Sequence, residues 1–385
     1  MQKLTIDPIT RLEGHGKIEI FLDDKGDVEN AYLQVPDFRG FEEFCVGRPA
    51  EEMPRITQSI CGVCPWAHHL ASTKALDDLY KVNVPPAGKK LRELAYSVYS
   101  FYDKIINFYY LAAPDFVVGP SAPKAERNVI GLIQKVGLEI GKKVIENYRL
   151  AQDILEKIGG RKIHPVFGLP GGVAKPITDQ DRKDIIDKAK GFIEFGKFSL
   201  KVFDDLVLKN KKYLDLITSD IYRIKTYHMG LVDKDNKVNF YDGDIRVVDE
   251  EGKEFLKFKA ADYNKHIAEE VVEWSYMKFT YLKAVGWKGL VEGKDNGIYS
   301  VAPLARLNAA VGMATPEADA EYKKMYSVLG GRPAHFSLAY HWARLIELLY
   351  SAERALQLAK DEEVSAPNVR TIPTRTPKEG VGVVE

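Results

Sequence analysis

The feature that most constrains the fold is a long apolar segment near residue 100 with the spacing of an α-helix. From Leu91 to Ala113 the chain reads LRELAYSVYSFYDKIINFYYLAA, with apolar residues on most faces of the helix. Such a helix must be surrounded by other helices, and Pro114 is expected to end it. The overlapping run INFYYLAAPDFVV is interrupted by Pro114 and Asp115 before it reaches the roughly 20 residues that cross a bilayer. The sequence therefore predicts a buried helix and no membrane span.

Further helical segments flank this one. Asn128 to Ile158 predicts one long helix or two, and Thr178 is expected to cap the long amphipathic helix that follows it. The helical pattern returns near Ala268 and again over 320–360, where leucine, isoleucine and alanine share one face. Together these segments predict a bundle of long helices.

Two regions carry the alternating pattern of β-strands. The run KIEIFLDDKGDVENAYLQV predicts a hairpin with its turn at 23–26, and the period also falls to two between 222 and 259. The expected fold class is α+β, with a central long-helix bundle, a small N-terminal β-sheet and an inserted β-meander. The expected organisation is a β region over 1–60 leading into a candidate metal site, a helical core over 61–221, the meander over 222–262, and a helical continuation over 263–385.

Composition excludes several classes of function. Lysine and arginine number 55, as do aspartate and glutamate, so no positive excess is present to hold a nucleic acid backbone. The N-terminal twenty residues lack the apolar stretch of a secretory signal, and three cysteines cannot form a closed disulfide framework. These features favour a reducing cytoplasm and give no support for nucleic acid as a partner.

The densest cluster of reactive side chains is CGVCPWAHH, from Cys61 to His69. Two cysteines three residues apart can both face one metal ion, with imidazole groups nearby. A redox dithiol or half of a structural zinc site would share this pattern, and Cys45 is expected to be a small buried hydrophobe. Thiolates select nickel, iron or zinc and exclude magnesium.

The order of three motifs is more specific than any one of them. RLEGHG (11–16), RGFEEF (39–44) and CGVCPWAHHLAS (61–72) together resemble the large subunit of nickel-iron hydrogenases. The likeness continues through GGRKIHP (159–165), YSVAPLARLN (299–308) and YHWARLIELLYSAE (340–353), so that it covers nearly all of the chain. It is greatest for the cytoplasmic archaeal-type group, whose type is the non-deazaflavin-reducing hydrogenase of methanogens.

The resemblance implies a set of metal ligands. Cys61 matches a terminal nickel ligand, and Cys64 matches a thiolate that bridges nickel to an iron carrying cyanide and carbonyl ligands. His68 would donate a hydrogen bond toward the bridging sulfur, whereas His69 is expected to be structural. Glu42 matches a ligand of a divalent cation, usually magnesium.

The resemblance also implies a route for protons and another for electrons. Glu13 matches the family's proton gate beside a terminal cysteine, where burial is expected to raise its pKa, and Asp115 matches a carboxylate near the active site. Splitting dihydrogen requires a Lewis-acidic metal and an adjacent base. Three cysteines cannot supply an iron-sulfur cluster as well, so such clusters are expected on a small partner subunit. A further electron-transfer subunit, a heterodisulfide-reductase-type complex and a maturation protease are the other implied partners.

The sequence departs from the family pattern at its end. Family members carry a second C-x-x-C near the C-terminus, whereas this sequence stops at Glu385 within the apolar run GVGVVE. There are four explanations: a sequence that ends early, an unprocessed or disordered C-terminus, a second polypeptide, and a paralogue without catalysis. The break inside an apolar run favours the first. The isolated chain is expected to be inactive. The alternative function is an inactive relative, such as the quinone-site subunit of complex I or a structural zinc or interaction subunit, and the intact CGVC argues against the former.

Overall fold

Helices make up most of the regular structure in the computed structural model, which describes residues 2–385. The α-helices of this range are α1 (Phe41–Cys45), α2 (Met53–Thr57), α3 (Pro65–Leu79), α4 (Pro86–Ile105), α5 (Val129–Val136), α6 (Leu138–Gly159), α7 (Asp179–Phe203), α8 (Lys211–Ile217), α9 (Tyr263–His266), α10 (Ala302–Ala309), α11 (Pro316–Val328) and α12 (Tyr340–Lys360). Three π-helical segments, Ile106–Ala112, Pro114–Val118 and Asp204–Leu208, extend the helical regions.

The strands are short and fall into four small sheets. They are β1 (Gln2–Ile6), β2 (Lys17–Leu22), β3 (Val28–Gln34), β4 (Gly168–Leu169), β5 (Gly172–Val173), β6 (Tyr227–Val232), β7 (Asp244–Val248), β8 (Glu254–Phe258), β9 (Ile267–Glu270), β10 (Phe279–Leu282) and β11 (Tyr299–Ser300). The N-terminal sheet has the antiparallel order β1-β2-β3, which confirms the predicted hairpin. The strands β6-β7-β8 form an antiparallel meander, which β11 joins in parallel to β6.

The core lies where α12 packs against α7 and α4, and α6 also packs against α4. Aromatic side chains fill this interface. Phe101 of α4 stacks on Phe192 of α7 with ring centroids 4.3 Å apart, and Trp342 of α12 lies 5.9 Å from Phe203. Rings of this size bury large apolar areas, so the long helices hold one another in place through their aromatic faces. This arrangement confirms the predicted helical bundle.

Helix boundaries follow local chemistry at most positions. Thr178 begins α7 with a reciprocal capping box, in which its hydroxyl accepts from the Asp181 amide at 3.0 Å and the Asp181 carboxylate accepts from the Thr178 amide at 3.0 Å. Gly137 divides the 128–158 region into α5 and α6, because its φ of 93° lies in the left-handed region that glycine favours.

Two local predictions were wrong. Pro114 does not end the long helix: the chain turns π-helical at Ile106 and remains helical to Val118, with Pro114 at the start of a new segment. Proline is tolerated there because the first residues of a helix need no backbone N–H partner. Near Ala268 the chain forms a strand, not a helix, because 267–270 pairs with β10, with Ala268 opposite Tyr281.

The last six residues form no helix or strand, and residues 380–382 lie against the backbone of α3. A Cβ added at Gly382 would lie 2.3 Å from the Ala75 amide nitrogen, so a side chain at this position would collide with the backbone of α3. The Val381 amide donates to Asp78 at 2.9 Å, and the Glu385 amide donates to the Phe240 carbonyl at 2.8 Å. The terminal run therefore packs against the helix that begins at the cysteine cluster. Within residues 2–385, no helix has the length and apolar character needed to cross a membrane.

Candidate metal and proton-transfer site

The two cysteines of the C-x-x-C motif lie in a loop that ends as α3 begins. Cys64 is the N-cap residue of α3, and both thiols are half-buried. The backbone N–H groups of Val63 and Cys64 both donate to the Cys61 sulfur at 3.4 Å. The loop therefore turns the two sulfurs toward each other and presents backbone dipoles to one of them.

Burial raises the pKa of the Cys64 thiol well above its ordinary value, and its hydrogen bond with Cys61 adds to this shift. A thiolate at this position therefore needs a positive charge beside it. A metal cation supplies that charge and removes the proton from a coordinating thiol. The donor set thus fits two soft ligands of a thiolate-bound metal.

The carboxylate predicted to act as the proton gate lies beside the first cysteine. The Cys61 thiol donates to Glu13 Oε1 at a distance of 3.6 Å, although 48 residues separate the two in sequence. Glu13 is exposed among residues 2–385, so the burial expected from the sequence is not provided by this part of the chain. The contact itself joins the Cys61 thiol to a carboxylate, which is a base.

Asp115 is held by the same N-terminal loop. Arg11 Nε donates to Asp115 Oδ2 at 3.0 Å, and Arg11 Nη2 also donates to the Arg127 carbonyl at 2.7 Å. This ion pair fixes the loop that carries Glu13 against the π-helical segment 114–118. Arg11 was not singled out from the sequence, although it belongs to the RLEGHG motif.

The two histidines after the cysteines have different surroundings. His68 is half-buried, burial lowers its pKa, and it makes no hydrogen bond to either cysteine sulfur in the described chain. His69 is buried, and its Nε2 accepts from the Gly168 amide at 2.7 Å while its Nδ1 lies 3.1 Å from the Pro54 carbonyl. Burial lowers the pKa of His69 to about 4. His69 is therefore a neutral imidazole that joins α2, α3 and β4.

Glu42 lies on the surface and binds a lysine. Its carboxylate oxygens are 3.3 and 3.2 Å from the Lys278 ammonium, which also contacts Glu269 at 2.7 Å. The Glu42 side chain is 82% exposed. Magnesium takes near-octahedral oxygen coordination, and one exposed carboxylate is a single ligand of such a site. Residues 2–385 therefore do not fit a complete magnesium site.

The described chain does not complete a thiolate metal site either. Residues 2–385 contain no group of three or more histidine, cysteine, aspartate or glutamate side chains placed to hold one metal ion. Cys45 ends α1 and stays half-buried. Cys61 and Cys64 thus fit half of the four-thiolate set that the resemblance implies.

Two residues that the sequence did not identify support the cysteine loop. Arg39 donates to the Ile60 carbonyl at 2.5 Å and to the Ser59 carbonyl at 3.2 Å, immediately before Cys61. Tyr102 donates its hydroxyl to the Val63 carbonyl at 3.2 Å. The position of Arg39 in RGFEEF was a usable signal, whereas Tyr102 lies in an apolar helix where nothing distinguishes it from a core aromatic residue.

Comparisons with known proteins identify the family of this chain. The sequence profile "Nickel-dependent hydrogenase" matches residues 39–158, and the profile "HoxL-like" matches 3–38. The chain is 50% identical to one polypeptide of the F420-non-reducing hydrogenase of Archaeoglobus profundus, over all of this chain and 79% of that protein. It is 44% identical to one polypeptide of the vhu F420-non-reducing hydrogenase of Methanococcus voltae, over all of this chain and 88% of that protein.

A solved structure is also similar over most of its length. The H2-reduced NAD+-reducing [NiFe]-hydrogenase superposes with a TM-score of 0.90 and 35% identity, over 98% of this chain and 81% of that chain. These matches do not favour a complex I-like or structural zinc subunit. Both the fold class and the resemblance predicted from the sequence are confirmed. The chain belongs to the nickel-dependent hydrogenase family and corresponds to the large subunit of these enzymes.

Proposed function

We propose that this chain is the large subunit of a hydrogenase that splits dihydrogen reversibly and heterolytically. The observation that carries the proposal is the 3.6 Å contact between the Cys61 sulfur and Glu13 Oε1, with Cys64 beside it. Heterolytic cleavage needs a Lewis acid and an adjacent base, and this contact places a base at a sulfur ligand. The similarity to hydrogenases over the full chain supports the same reaction.

Cys61 and Cys64 would hold the metal centre. We assign Cys61 as a terminal nickel ligand and Cys64 as the sulfur shared between nickel and an iron that carries cyanide and carbonyl ligands. When bound, the nickel-iron centre supplies the Lewis acidity for the cleavage. The buried thiol of Cys64, whose pKa is raised, favours this assignment because only a cation beside it would keep it deprotonated.

The protein's own part in catalysis is to move a proton. Glu13 Oε1 accepts the proton that arrives at the Cys61 sulfur, and its exposure lets it release that proton away from the site. Through its ion pair with Asp115, Arg11 holds in place the loop that carries Glu13. Asp115 therefore acts here as a positioning residue. His68 is half-buried four residues after Cys64, and we propose that it donates toward that sulfur once metal is bound.

We infer that the 385-residue chain does not turn over dihydrogen by itself. Residues 2–385 bring two thiols to the site, whereas the proposed nickel site takes four. Glu42 would likewise provide one carboxylate to a magnesium ion whose other ligands come from elsewhere, and in that state it would leave Lys278. Metal binding should therefore require polypeptide beyond the described residues.

The electrons would leave through an iron-sulfur small subunit, the partner that large subunits of this family share. We propose in addition a further electron-transfer subunit, a heterodisulfide-reductase-type complex and a maturation protease as partners. The subunit names of the similar F420-non-reducing hydrogenases support an enzyme of several subunits. The free thiols of Cys45, Cys61 and Cys64 favour a reducing cytoplasm.

The first experiment tests Glu13 in the assembled enzyme. Glu13→Gln keeps the shape of the side chain and cannot accept the proton, so hydrogen-driven dye reduction should fall by roughly 10²- to 10⁴-fold. Nickel content and para-to-ortho hydrogen conversion should persist, because neither needs proton release. Glu43→Gln, an exposed carboxylate of α1, is the matched control and should change none of these. Unchanged dye reduction in Glu13→Gln would remove the gate role.

A second experiment tests the metal ligands without measuring activity. Cys64→Ser should abolish nickel incorporation, because a hard oxygen is a poor substitute for a soft sulfur. Cys45→Ser should retain nickel, since Cys45 ends α1 away from the paired thiols. Normal nickel content in Cys64→Ser would refute the ligand assignment.

A further inference from the structure

A cavity of about 420 Å³ lies between the π-helical segments near residue 115, helix α8 and the start of α12. Its volume is within the range typical of small-molecule sites. Its walls are mixed: Phe116 and Tyr213 contribute aromatic rings, and His341 and Arg344 of α12 contribute polar groups. The cavity therefore combines apolar walls with two polar groups from one helix face.

Arg344 is the unusual member of this lining. Among residues 2–385, its guanidinium makes no hydrogen bond and no ion pair within 4.0 Å. The carboxylate of Glu347, one turn further along α12, is already bound by Arg306 at 2.6 and 2.8 Å. Burial lowers the pKa of Arg344, and the nearby carboxylate of Glu347 opposes this shift only in part.

The surrounding acids form no direct ion pair with Arg344, and Glu347 and Asp103 act on it only at longer range. Lys104, which is buried, also approaches Glu347 at 3.5 Å, so that one carboxylate serves more than one cation. Burial raises the pKa of Asp103 and raises that of Glu385 to about 7, and burial also lowers the pKa of Lys104. Glu385 lies 3.7 Å from Arg306, so the carboxylates of Glu347 and Glu385 are both bound by cations other than Arg344, whereas buried charges in proteins are normally paired.

His341 provides a second incomplete group. Its Nδ1 is buried and has no hydrogen-bond partner in the described chain. Burial lowers the pKa of His341 to about 4, so at neutral pH its ring is uncharged and can donate one N–H. Arg11 also lines the cavity, but its positive charge is already paired with the carboxylate of Asp115.

We propose that this cavity binds a carboxylate, which pairs with the fork of Arg344 and accepts a hydrogen bond from His341. A planar guanidinium matches a carboxylate through two parallel hydrogen bonds. One unpaired cation beside a neutral imidazole suits a monoanion better than a doubly charged phosphate. The proposal does not rest on the hydrogenase activity, because it concerns only the unpaired groups of Arg344 and His341 that line the cavity.

The test is the affinity for acetate, measured calorimetrically at constant ionic strength with chloride as the comparison salt. Arg344→Met should weaken acetate binding at least tenfold, equivalent to about 1.4 kcal/mol. Arg344→Lys keeps the positive charge but lacks the planar guanidinium. Its affinity for acetate should therefore lie between those of the unaltered chain and Arg344→Met. Arg354→Met, on the same helix but already bound to Glu93 at 2.8 Å, should bind acetate as the unaltered chain does.

The carboxylate could be a free small molecule or a side chain of an assembled polypeptide, and the same titration distinguishes them. Acetate binding by both the isolated chain and the complex with its iron-sulfur subunit identifies a free carboxylate. Binding by the isolated chain alone, again dependent on Arg344, identifies a side chain that fills the cavity on assembly. The proposal is overturned if acetate binds neither form better than chloride, or if Arg344→Met binds it as tightly as the unaltered chain.

Discussion

Replacing Glu347 with glutamine should destabilise the core strongly although it barely changes the shape of the side chain. Glu347 has no exposed surface, and its two oxygens accept the fork of Arg306 at 2.6 and 2.8 Å. Lys104 lies 3.5 Å from the same carboxylate. The substitution leaves these cations without their shared counter-charge.

The magnitude follows from this arrangement. Removing one partner of a buried ion pair costs about 3–5 kcal/mol, because the other partner stays buried and unpaired. At about 2.1 cal/mol/K of unfolding entropy per residue, a chain of 385 residues has an entropy near 0.8 kcal/mol/K. Glu347→Gln should therefore lower the melting temperature by about 4–6 °C.

Thermal unfolding followed by circular dichroism measures the effect. Asp215→Asn is the matched control, since it breaks an ion pair with Lys211 whose side chains are 60% and 87% exposed. Surface pairs of this kind contribute at most about 1 kcal/mol, so its melting temperature should change by no more than about 1 °C. If Glu347→Gln melts within 1 °C of the unaltered chain, the buried pair does not stabilise the core as argued.

Three further outcomes are expected. Gly382→Ala should lower the free energy of unfolding in chemical denaturation by about 1–3 kcal/mol, because its Cβ collides with the backbone of α3. Gly191→Ala is the control: its Cβ meets open space in a helix, so it should raise the free energy of unfolding by about 0.5–1 kcal/mol. Burial lowers the pKa of His228 to about 3, so the stability that it contributes above pH 6.5 should be lost as the pH falls toward 3; a pH dependence of melting unchanged in His228→Phe would contradict this. Tyr102→Phe should cost about 1 kcal/mol and loosen the cysteine loop, seen as faster amide exchange at Val63.

Local sequence signals predicted the elements whose boundaries depend on neighbouring residues. Thr178 begins α7 because its partner in the capping box lies three residues away. The turn at 23–26 also forms as predicted, because the residues that determine it are neighbours in the sequence. Near Ala268 the prediction was wrong because a four-residue strand depends on its pairing with residues 279–282, which no pattern within 267–270 reveals.

The pair of soft ligands follows from local spacing, since Cys61 and Cys64 are close enough in the chain to bring both sulfurs into one short loop. The family resemblance, carried by the order of motifs along the whole chain, is equally evident in the amino-acid sequence. The same motifs identify Glu13 as a candidate base, although they do not give its distance from the sulfur.

Tertiary packing determines which distant residues meet and which charges lack partners. Glu13 contacts Cys61 across 48 residues, and Glu42 binds Lys278 across 236, through the packing of the whole fold. Arg344 and Glu347 are one helical turn apart in sequence. The carboxylate of Glu347 nevertheless binds Arg306 and lies near Lys104, because α10 and α4 pack against α12. Motif spacing cannot encode these contacts, because the electrostatic environment of a buried charge depends on every group packed around it, and most of those groups are remote in sequence.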